Sequence, residues 1–271
     1  MHVNARFLDT NKFVTINGDV PLLCRDELVI VQTDRGEEAV RFVGLSKEQA
    51  SITAEFIRKA QEDDLKKLEQ NNKDSESAFS LFKQKVNELK LDMKPLKSYI
   101  PLDGSKIFFY YTSNARVDFR LLVKELAKVL KKRIEMRQIG ARDAAQMLGW
   151  IGLCGDIPCC VRFINEFSPV FLSDVEEQNL PFSPQKFTGP CGKLMCCLSF
   201  ERCNYDVKRY FPESGKELCY LGEVYCMQHI DPIRSTVLLK SQERSLELKI
   251  QELIHPSLLK RPCKCKQASE T

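Results

Sequence analysis

The sequence predicts an α+β protein. A central α/β domain carries two C-G-x-x-x-C-C loops, is flanked by small β-barrel-like modules, and follows an inserted two-helix arm. Three observations predict this class. Short alternating apolar segments occupy both ends of the chain, a long charged segment has helical periodicity, and a strand, an amphipathic helix and a second strand follow one another in the middle. The 271 residues suffice for about two domains.

The composition excludes several classes of protein. Hydrophobic residues make up 43% of the chain and charged residues 29%, which is ordinary for a folded globular protein. The net charge of +4 is too small to indicate a nucleic-acid partner by itself, and DNA is not expected as a ligand. No stretch is apolar enough to span a bilayer, and the N-terminus lacks the apolar segment of a signal peptide. We therefore expect a cytoplasmic protein.

An N-terminal β module is predicted over residues 1–45. Apolar and polar residues alternate at its start, with Val3, Ala5 and Phe7 on one side. Two apolar runs then flank a turn that ends at Gly36, which is typical of a β-hairpin. We expect a small barrel-like module that strands from elsewhere in the chain complete.

A charged helical arm is predicted over residues 46–97. It contains no glycine, and its first proline is Pro95. Apolar residues recur at helical spacing in its second half, at Phe79, Phe82, Val86, Leu89 and Met93. A polar run at residues 70–75 interrupts the pattern and predicts two helices. A solvated arm with one buried stripe is the simpler interpretation, and a docking surface for a partner helix is the alternative.

The central α/β domain is predicted over residues 98–204. Residues 106–112 indicate an aromatic-rich strand, residues 119–130 an amphipathic helix, and residues 133–139 a second strand that the first cysteine repeat follows directly. Residues 115–142 contain nine basic and three acidic side chains. A solvated helix face explains this charge more simply than an RNA-facing surface does.

A second β-barrel-like module is predicted over residues 205–254, from three candidate strands. The polar and basic residues 255–271 are predicted to form a disordered tail. Cys263 and Cys265 lie in this tail, where a flexible segment is a simpler interpretation than a metal site.

The cysteine distribution is the most specific feature of the sequence. Seven of the twelve cysteines lie between Cys154 and Cys203. Within this window, residues 152–160 and 189–197 both follow the pattern G-x-C-G-x-x-x-C-C. The repeats supply six candidate metal ligands, which are Cys154, Cys159, Cys160, Cys191, Cys196 and Cys197.

Thiolates in this pattern favour an iron–sulfur cluster. Soft metals and iron–sulfur clusters select thiolate ligands. The glycine after the first cysteine frees the backbone to wrap closely around a bulky centre. The spacing within each repeat is wider than in the usual zinc knuckle. Since a four-iron cluster takes four thiolates and each repeat offers three, either the repeats share a cluster or a partner subunit supplies a ligand.

Other roles of the cysteines stay open at this stage. Structural zinc and the simple burial of small side chains are both alternatives. A dithiol oxidoreductase is disfavoured because the chain contains no C-x-x-C motif. The chain also lacks the Walker A, H-E-x-x-H and G-x-S-x-G motifs, so no catalytic residues are predicted.

Several segments resemble the bacterial RicT family, also called YaaT, which are stage-zero sporulation proteins with a PSP-type C-terminal domain. Residues 133–143 (RIEMRQIGARD), residues 147–149 (MLG) and the two cysteine repeats carry the resemblance. Residues 117–126 and 192–198 are similar to the family as well. Before the first repeat the family has a glycine-rich G-G-I-G-P, where this chain has Trp150-Ile151-Gly152-Leu153.

The resemblance implies a non-enzymatic iron–sulfur regulatory or scaffold protein. RicT-like proteins associate with two small helical partners, of a RicA and RicF kind, in a complex that carries [4Fe–4S] clusters and with which flavin (FAD) is associated. That complex supports mRNA processing by RNase Y and affects sporulation, competence and biofilm formation. Carried over by position, the implied cluster ligands are Cys154, Cys159, Cys160 and Cys191, and Cys196 and Cys197 also match the motif. The rival hypothesis is a zinc-stabilised RNA-binding module.

Overall fold

A computed structural model of the chain describes residues 2–47, 49–164, 166–211, 214–221, 223–241 and 244–253. The chain divides into two units. The first contains Met1–Glu166 and Pro190–Lys193, and the second contains Phe167–Gly189 and Leu194–Thr271. Helices and several separate sheets occur together, so the predicted α+β class is confirmed. The predicted tail at residues 255–271 lies outside the described residues.

A closed five-stranded barrel begins the first unit. Its strands are β1 (His2–Phe7), β2 (Phe13–Asn17), β3 (Leu28–Thr33), β4 (Gly36–Ser46) and β5 (Thr53–Lys59), in the order β1-β2-β5-β3-β4. Alternate side chains fill the interior, and Ala5, Val14 and Val29 are fully buried there. At the turn between β3 and β4, Gly36 has a φ of +122°, and a Cβ there would lie 2.9 Å from the Asp103 carboxylate.

One continuous helix, α1 (Glu62–Glu88), follows the barrel where the sequence predicts a two-helix hairpin. The two-helix prediction is wrong. The polar run at residues 70–75 contains no glycine or proline, and its side chains bond along the helix. Gln70 Nε2 lies 2.9 Å from Asp74 Oδ1, and Lys73 Nζ lies 2.9 Å from the Glu69 carboxylate. The beginning of the predicted arm is strand β5 instead of helix.

A three-stranded sheet packs against α1. Its strands are β6 (Lys94–Tyr99), β7 (Lys106–Thr112) and β8 (Arg133–Gln138), with β7 antiparallel to β6 and parallel to β8. Helix α2 (Arg120–Leu130) makes the crossover that a parallel pair needs. One sheet face packs against α1 and α2 through Ile107 and Phe109, as the aromatic-rich strand and amphipathic helix predict.

A third helix, α3 (Ala141–Leu148), separates β8 from the first cysteine repeat. The expectation that the repeat follows the strand directly is therefore wrong. The middle of α3 is buried on all sides, since Ala144, Ala145, Gln146 and Met147 are consecutive buried residues. The short helix α4 (Cys159–Arg162) follows within the repeat.

A buried charged cluster joins the barrel to the three-stranded sheet. Arg35 lies 2.7 Å from the carboxylate of Asp9 and 2.8 Å from that of Glu38, and the Tyr110 hydroxyl donates to Asp9. Asp9 and Glu38 are 1% and 0% exposed. Burial raises the pKa of Glu38 to about 7, although the Arg35 charge opposes that rise. Glu38 Oε1 has no hydrogen-bond partner among the described residues.

The second unit combines short helices with an open antiparallel sheet. Its elements are α5 (Leu172–Glu177), α6 (Pro184–Phe187), α7 (Cys196–Tyr205), β9 (Glu217–Tyr220), β10 (Glu223–Asp231), β11 (Thr236–Lys240), β12 (Ser245–Lys249) and α8 (Ile250–Leu253). The strand order is β12-β11-β10-β9. In the described part of the chain the two outer strands, β12 and β9, do not pair, so the predicted second barrel is an open sheet.

Across the described residues, no helix combines the length and apolar character needed to cross a bilayer.

Candidate metal centre at the cysteine repeats

The two cysteine repeats fold in the same way. The first cysteine of each, Cys154 or Cys191, lies in a turn. The glycine that follows has a left-handed backbone, with φ of +82° at Gly155 and +73° at Gly192. The cysteine pair that ends each repeat forms the first two residues of a helix, α4 or α7. The sequence repeat is therefore also a structural repeat.

The loop of the first repeat is closed by its own backbone. The Gly152 N–H donates to the Asp156 carbonyl over 2.8 Å, and the Gly155 N–H donates to the Gly152 carbonyl over 2.9 Å. A Cβ on Gly152 would lie 3.2 Å from Cys154 Sγ and 3.3 Å from the Asp156 carbonyl oxygen, so a larger residue there would crowd both. The Asp156 carboxylate also lies 2.7 Å from the Arg162 guanidinium, which ties the loop to α4.

Helix α4 is held by the barrel and by α3. Gln146 of α3 donates from Nε2 to the Cys160 carbonyl over 2.7 Å. Arg6 of β1 donates to the Val161 carbonyl over 2.6 Å and also to the Arg162 carbonyl. A guanidinium at the carbonyl end of a helix is favourable because those carbonyls lack partners within the helix. Neither Arg6 nor Gln146 was singled out by sequence. The one signal for Gln146 was a polar residue between the apolar Ala145 and Met147.

Helix α7 has a comparable support in the second unit. Gln178, at the end of α5, donates from Nε2 to the Leu198 carbonyl over 2.7 Å. Arg202 lies 3.4 Å from the buried carboxylate of Asp174. A small apolar core lies between the same helices and is formed by Val175, Phe187 and Leu198. Each Cys-Cys helix is thus fixed to a neighbouring element by one glutamine side chain.

The six predicted ligands are divided between the units. Cys154, Cys159 and Cys160 lie in the first unit, and so does Cys191, because Pro190–Lys193 belongs to that unit. Cys196 and Cys197 lie in the second. Cys154 is exposed, Cys160 is buried, and the other four are half-buried.

The donor chemistry of the repeats is that of thiols alone. Such a set fits a soft metal or an iron–sulfur cluster better than it fits Mg²⁺ or Ca²⁺. Within the described ranges, no three His, Cys, Asp or Glu side chains are already arranged as a metal cage.

Large exposed apolar side chains lie within four residues of the exposed Cys154 along the chain. Trp150 is 61% exposed and Ile151 71%, and Leu153 and Ile157 are also more than half exposed. Several exposed apolar side chains in one short segment are typical of an interaction surface. We call these four residues the apolar rim of Cys154.

Comparison with known proteins identifies the family. Residues 54–139 match the PSP1 C-terminal conserved region, and residues 169–210 match the third domain of PSP1-like proteins. The Stage 0 sporulation protein YaaT of Bacillus subtilis is 40% identical over 220 residues, which cover 79% of this chain and 80% of YaaT. The chain belongs to the YaaT family. This confirms the resemblance noted in the sequence.

A more distant relative also matches. An uncharacterised protein of Schizosaccharomyces pombe is 27% identical over 143 residues, which are 41% of this chain and 19% of that protein. No solved structure matches the chain. The two matched PSP1 regions include the second repeat but not the first, which lies between them. The family assignment of the first repeat therefore depends on YaaT.

Proposed function

We propose that this chain is a non-enzymatic regulatory subunit that binds an iron–sulfur cluster through its cysteine repeats. It acts through partner proteins on mRNA processing by RNase Y, and so on sporulation and competence. Its place of action is the cytoplasm. The observation that carries the proposal is the repeated unit of turn, left-handed glycine and Cys-Cys helix start. Membership of a sporulation protein family supports the regulatory role.

The proposed ligands of a [4Fe–4S] cluster are Cys154, Cys159, Cys160 and Cys191. Their number equals the four thiolates that such a cluster takes. Their placement in one unit supports their acting together. Cys196 and Cys197 would belong to a second ligand set, which a partner subunit completes. Zinc also takes four thiolates, so a zinc-stabilised RNA-binding module is the competing function.

The apolar rim of Cys154 supports association with partners. Small helical subunits of a RicA and RicF kind would bury these side chains and enclose the thiol. Burial would also exclude solvent from a bound cluster, which raises its chemical stability and tunes its potential. Flavin belongs to the proposal only at the level of that complex.

The test is metal and acid-labile sulfide analysis of protein purified without oxygen. We expect iron and sulfide in equal amounts, with Cys154→Ser and Cys191→Ser each losing both. Cys24→Ser is the matched control, because Cys24 is an exposed thiol outside the repeats. Full iron and sulfide in the Cys154 and Cys191 variants would show the ligand assignment to be wrong. Zinc without sulfide would favour the competing function.

A further inference from the structure

Four basic side chains form a row along α2 and its C-terminal end. Arg120, Lys124 and Lys128 are spaced four residues apart within the helix, and Lys131 directly follows its last residue with a left-handed backbone (φ +50°). At about 100° per residue, a spacing of four places the three helical residues within an arc of about 80° on one side of the helix. All four are exposed. With a rise of about 1.5 Å per residue, the row extends about 16 Å.

One side of α2 is buried in the protein, whereas the row faces solvent, as do the α2 residues Leu121 and Val129, which are 56% and 61% exposed. Leu122 and Leu126 are 0% exposed, and they pack against the three-stranded sheet. Glu125 is the one acidic residue of α2, and it lies 3.2 Å from Lys85 of α1, away from the row. Throughout the described ranges, Lys124, Lys128 and Lys131 form no ion pair. Arg120 forms one ion pair, with Asp118, in which the guanidinium lies 3.8 Å from the carboxylate and both side chains are highly exposed.

The basic residues of β8 do not extend this surface. Ile134 and Met136 pack into the core beneath α2. Since side chains alternate along a strand, Arg133 and Arg137 face the opposite side of the sheet. Both lie near the Glu135 carboxylate, at 3.8 and 2.9 Å. The basic residues of segment 115–142 therefore lie on more than one surface. The row on α2 is separate from the basic residues of β8 and has fewer acidic neighbours.

A row of evenly spaced cations with so little acidic neutralisation fits a ligand whose own charges repeat. A membrane is disfavoured because an interfacial helix inserts its apolar face, and the centre of that face of α2, Leu122 and Leu126, is buried in the protein. We propose that the row on α2 binds the phosphate backbone of single-stranded RNA. The contacts are with phosphates, so they position RNA without reading its sequence. The charge row does not depend on a bound cluster. Only the choice of RNA over DNA rests on the proposed function.

The test is RNA binding by the full chain as a function of salt. The probe is a labelled mixed-sequence single-stranded RNA of about 20 nucleotides, longer than one binding site. At about 0.7 per phosphate contact, four contacts predict a slope of log K against log salt of about −3 between about 50 and 200 mM. The variant K124Q/K128Q/K131Q should reduce that slope by about 2 and weaken binding at low salt at least about tenfold. Because phosphate contacts do not distinguish ribose from deoxyribose, single-stranded DNA of the same sequence should bind with a similar dependence on salt, and a flat dependence would overturn the proposal.

The matched control is K66Q/K73Q/K83Q on α1. It removes the same charge from exposed positions of a helix, and glutamine is a good helix former. The control should bind RNA as the unchanged chain does. Equal weakening in both variants, or no RNA binding at low salt, would overturn the proposal. So would tight binding to anionic phospholipid vesicles that RNA does not displace. Iron and sulfide are measured on the same samples, so loss of the cluster and loss of RNA binding are distinguishable.

Discussion

The side-chain amide of Gln146 donates a hydrogen bond to the main-chain carbonyl of Cys160, over 2.7 Å. Gln146 is 1% exposed, so this bond forms inside the protein. Gln178 makes a similar bond in the second unit, also over 2.7 Å, to the carbonyl of Leu198, the residue after the cysteine pair. Each glutamine holds the start of a Cys-Cys helix. A pair of positioning residues therefore accompanies the pair of cysteine repeats.

Gln146→Ala is expected to destabilise the first unit by about 1–3 kcal/mol, because the Cys160 carbonyl loses its buried partner. It should also lower the cluster content, because α4 is no longer fixed. Urea unfolding and iron analysis measure the two effects. Gln178→Ala is the comparison, since it removes the same bond from α7. If the proposed four-cysteine set is correct, Gln146→Ala should reduce iron more than Gln178→Ala does, and the reverse order would contradict it.

Gly155→Ala and Gly192→Ala should each cost about 1–2 kcal/mol, the ordinary cost of a left-handed backbone for an L-residue. A Cβ at either position meets no atom within 4 Å, so the cost is conformational and not one of crowding. Asparagine tolerates this conformation better, and Gly155→Asn should recover part of the loss. Unfolding measurements on the three variants provide the test. Equal losses for Ala and Asn at position 155 would mean that contacts, not backbone strain, decide the choice of glycine.

The free energy of unfolding is expected to fall as pH rises from about 4.5 to about 7. Over this range the unfolded chain releases the Glu38 proton at its ordinary pKa of 4.5, whereas the folded chain retains it to about 7. The folded state thus binds more protons, and rising pH favours unfolding. At about 1.4 kcal/mol per pKa unit, the loss amounts to about 3 kcal/mol.

Glu38→Gln isolates this contribution. The amide cannot titrate, and its oxygen can still accept from Arg35, which lies 2.8 Å from the carboxylate. The difference in unfolding free energy between wild type and variant should change with pH over the same range. Parallel stability curves would show that Glu38 does not retain its proton in the fold.

Trp150→Ser should leave stability within about 0.5 kcal/mol of wild type, because the indole is 61% exposed. It should weaken association with the proposed small helical subunits, since Trp150 belongs to the apolar rim of Cys154. Co-purification with those subunits is the measurement. Leu22→Ser is the matched control, because Leu22 is 95% exposed and lies far from the repeats in sequence. Undiminished association in Trp150→Ser would remove this residue from the interface.

Local periodicity predicted the parts of the fold that local forces decide. Strand β7, helix α2 and strand β8 lie where the alternating and helical patterns place them. The interruption predicted in α1 failed because a polar run without glycine or proline continues a helix at little cost. Gln70 and Lys73 even stabilise it.

Contacts between residues far apart in the chain could not be predicted from local sequence patterns. The bonds of Arg6 to the carbonyls of Val161 and Arg162 join residues more than 150 positions apart, and nothing in their local pattern indicates them. Glu38 looks like an ordinary strand residue, and only the packing of the barrel against the sheet buries it. The cysteine pattern identified the candidate ligands, whereas their division between the units depends on the course of the chain around Pro190–Lys193.

The two cysteine repeats are held by different neighbouring elements. One Cys-Cys helix rests on β1 and α3, and the other rests on α5. The same turn and the same glycine conformation nevertheless occur in both. The bonds that close the first loop lie within its own nine residues, whereas the Met195 N–H of the second copy donates to the Phe187 carbonyl outside the repeat. The first copy should therefore keep its shape when it is moved into an unrelated host protein, and the second should need its neighbouring helix as well.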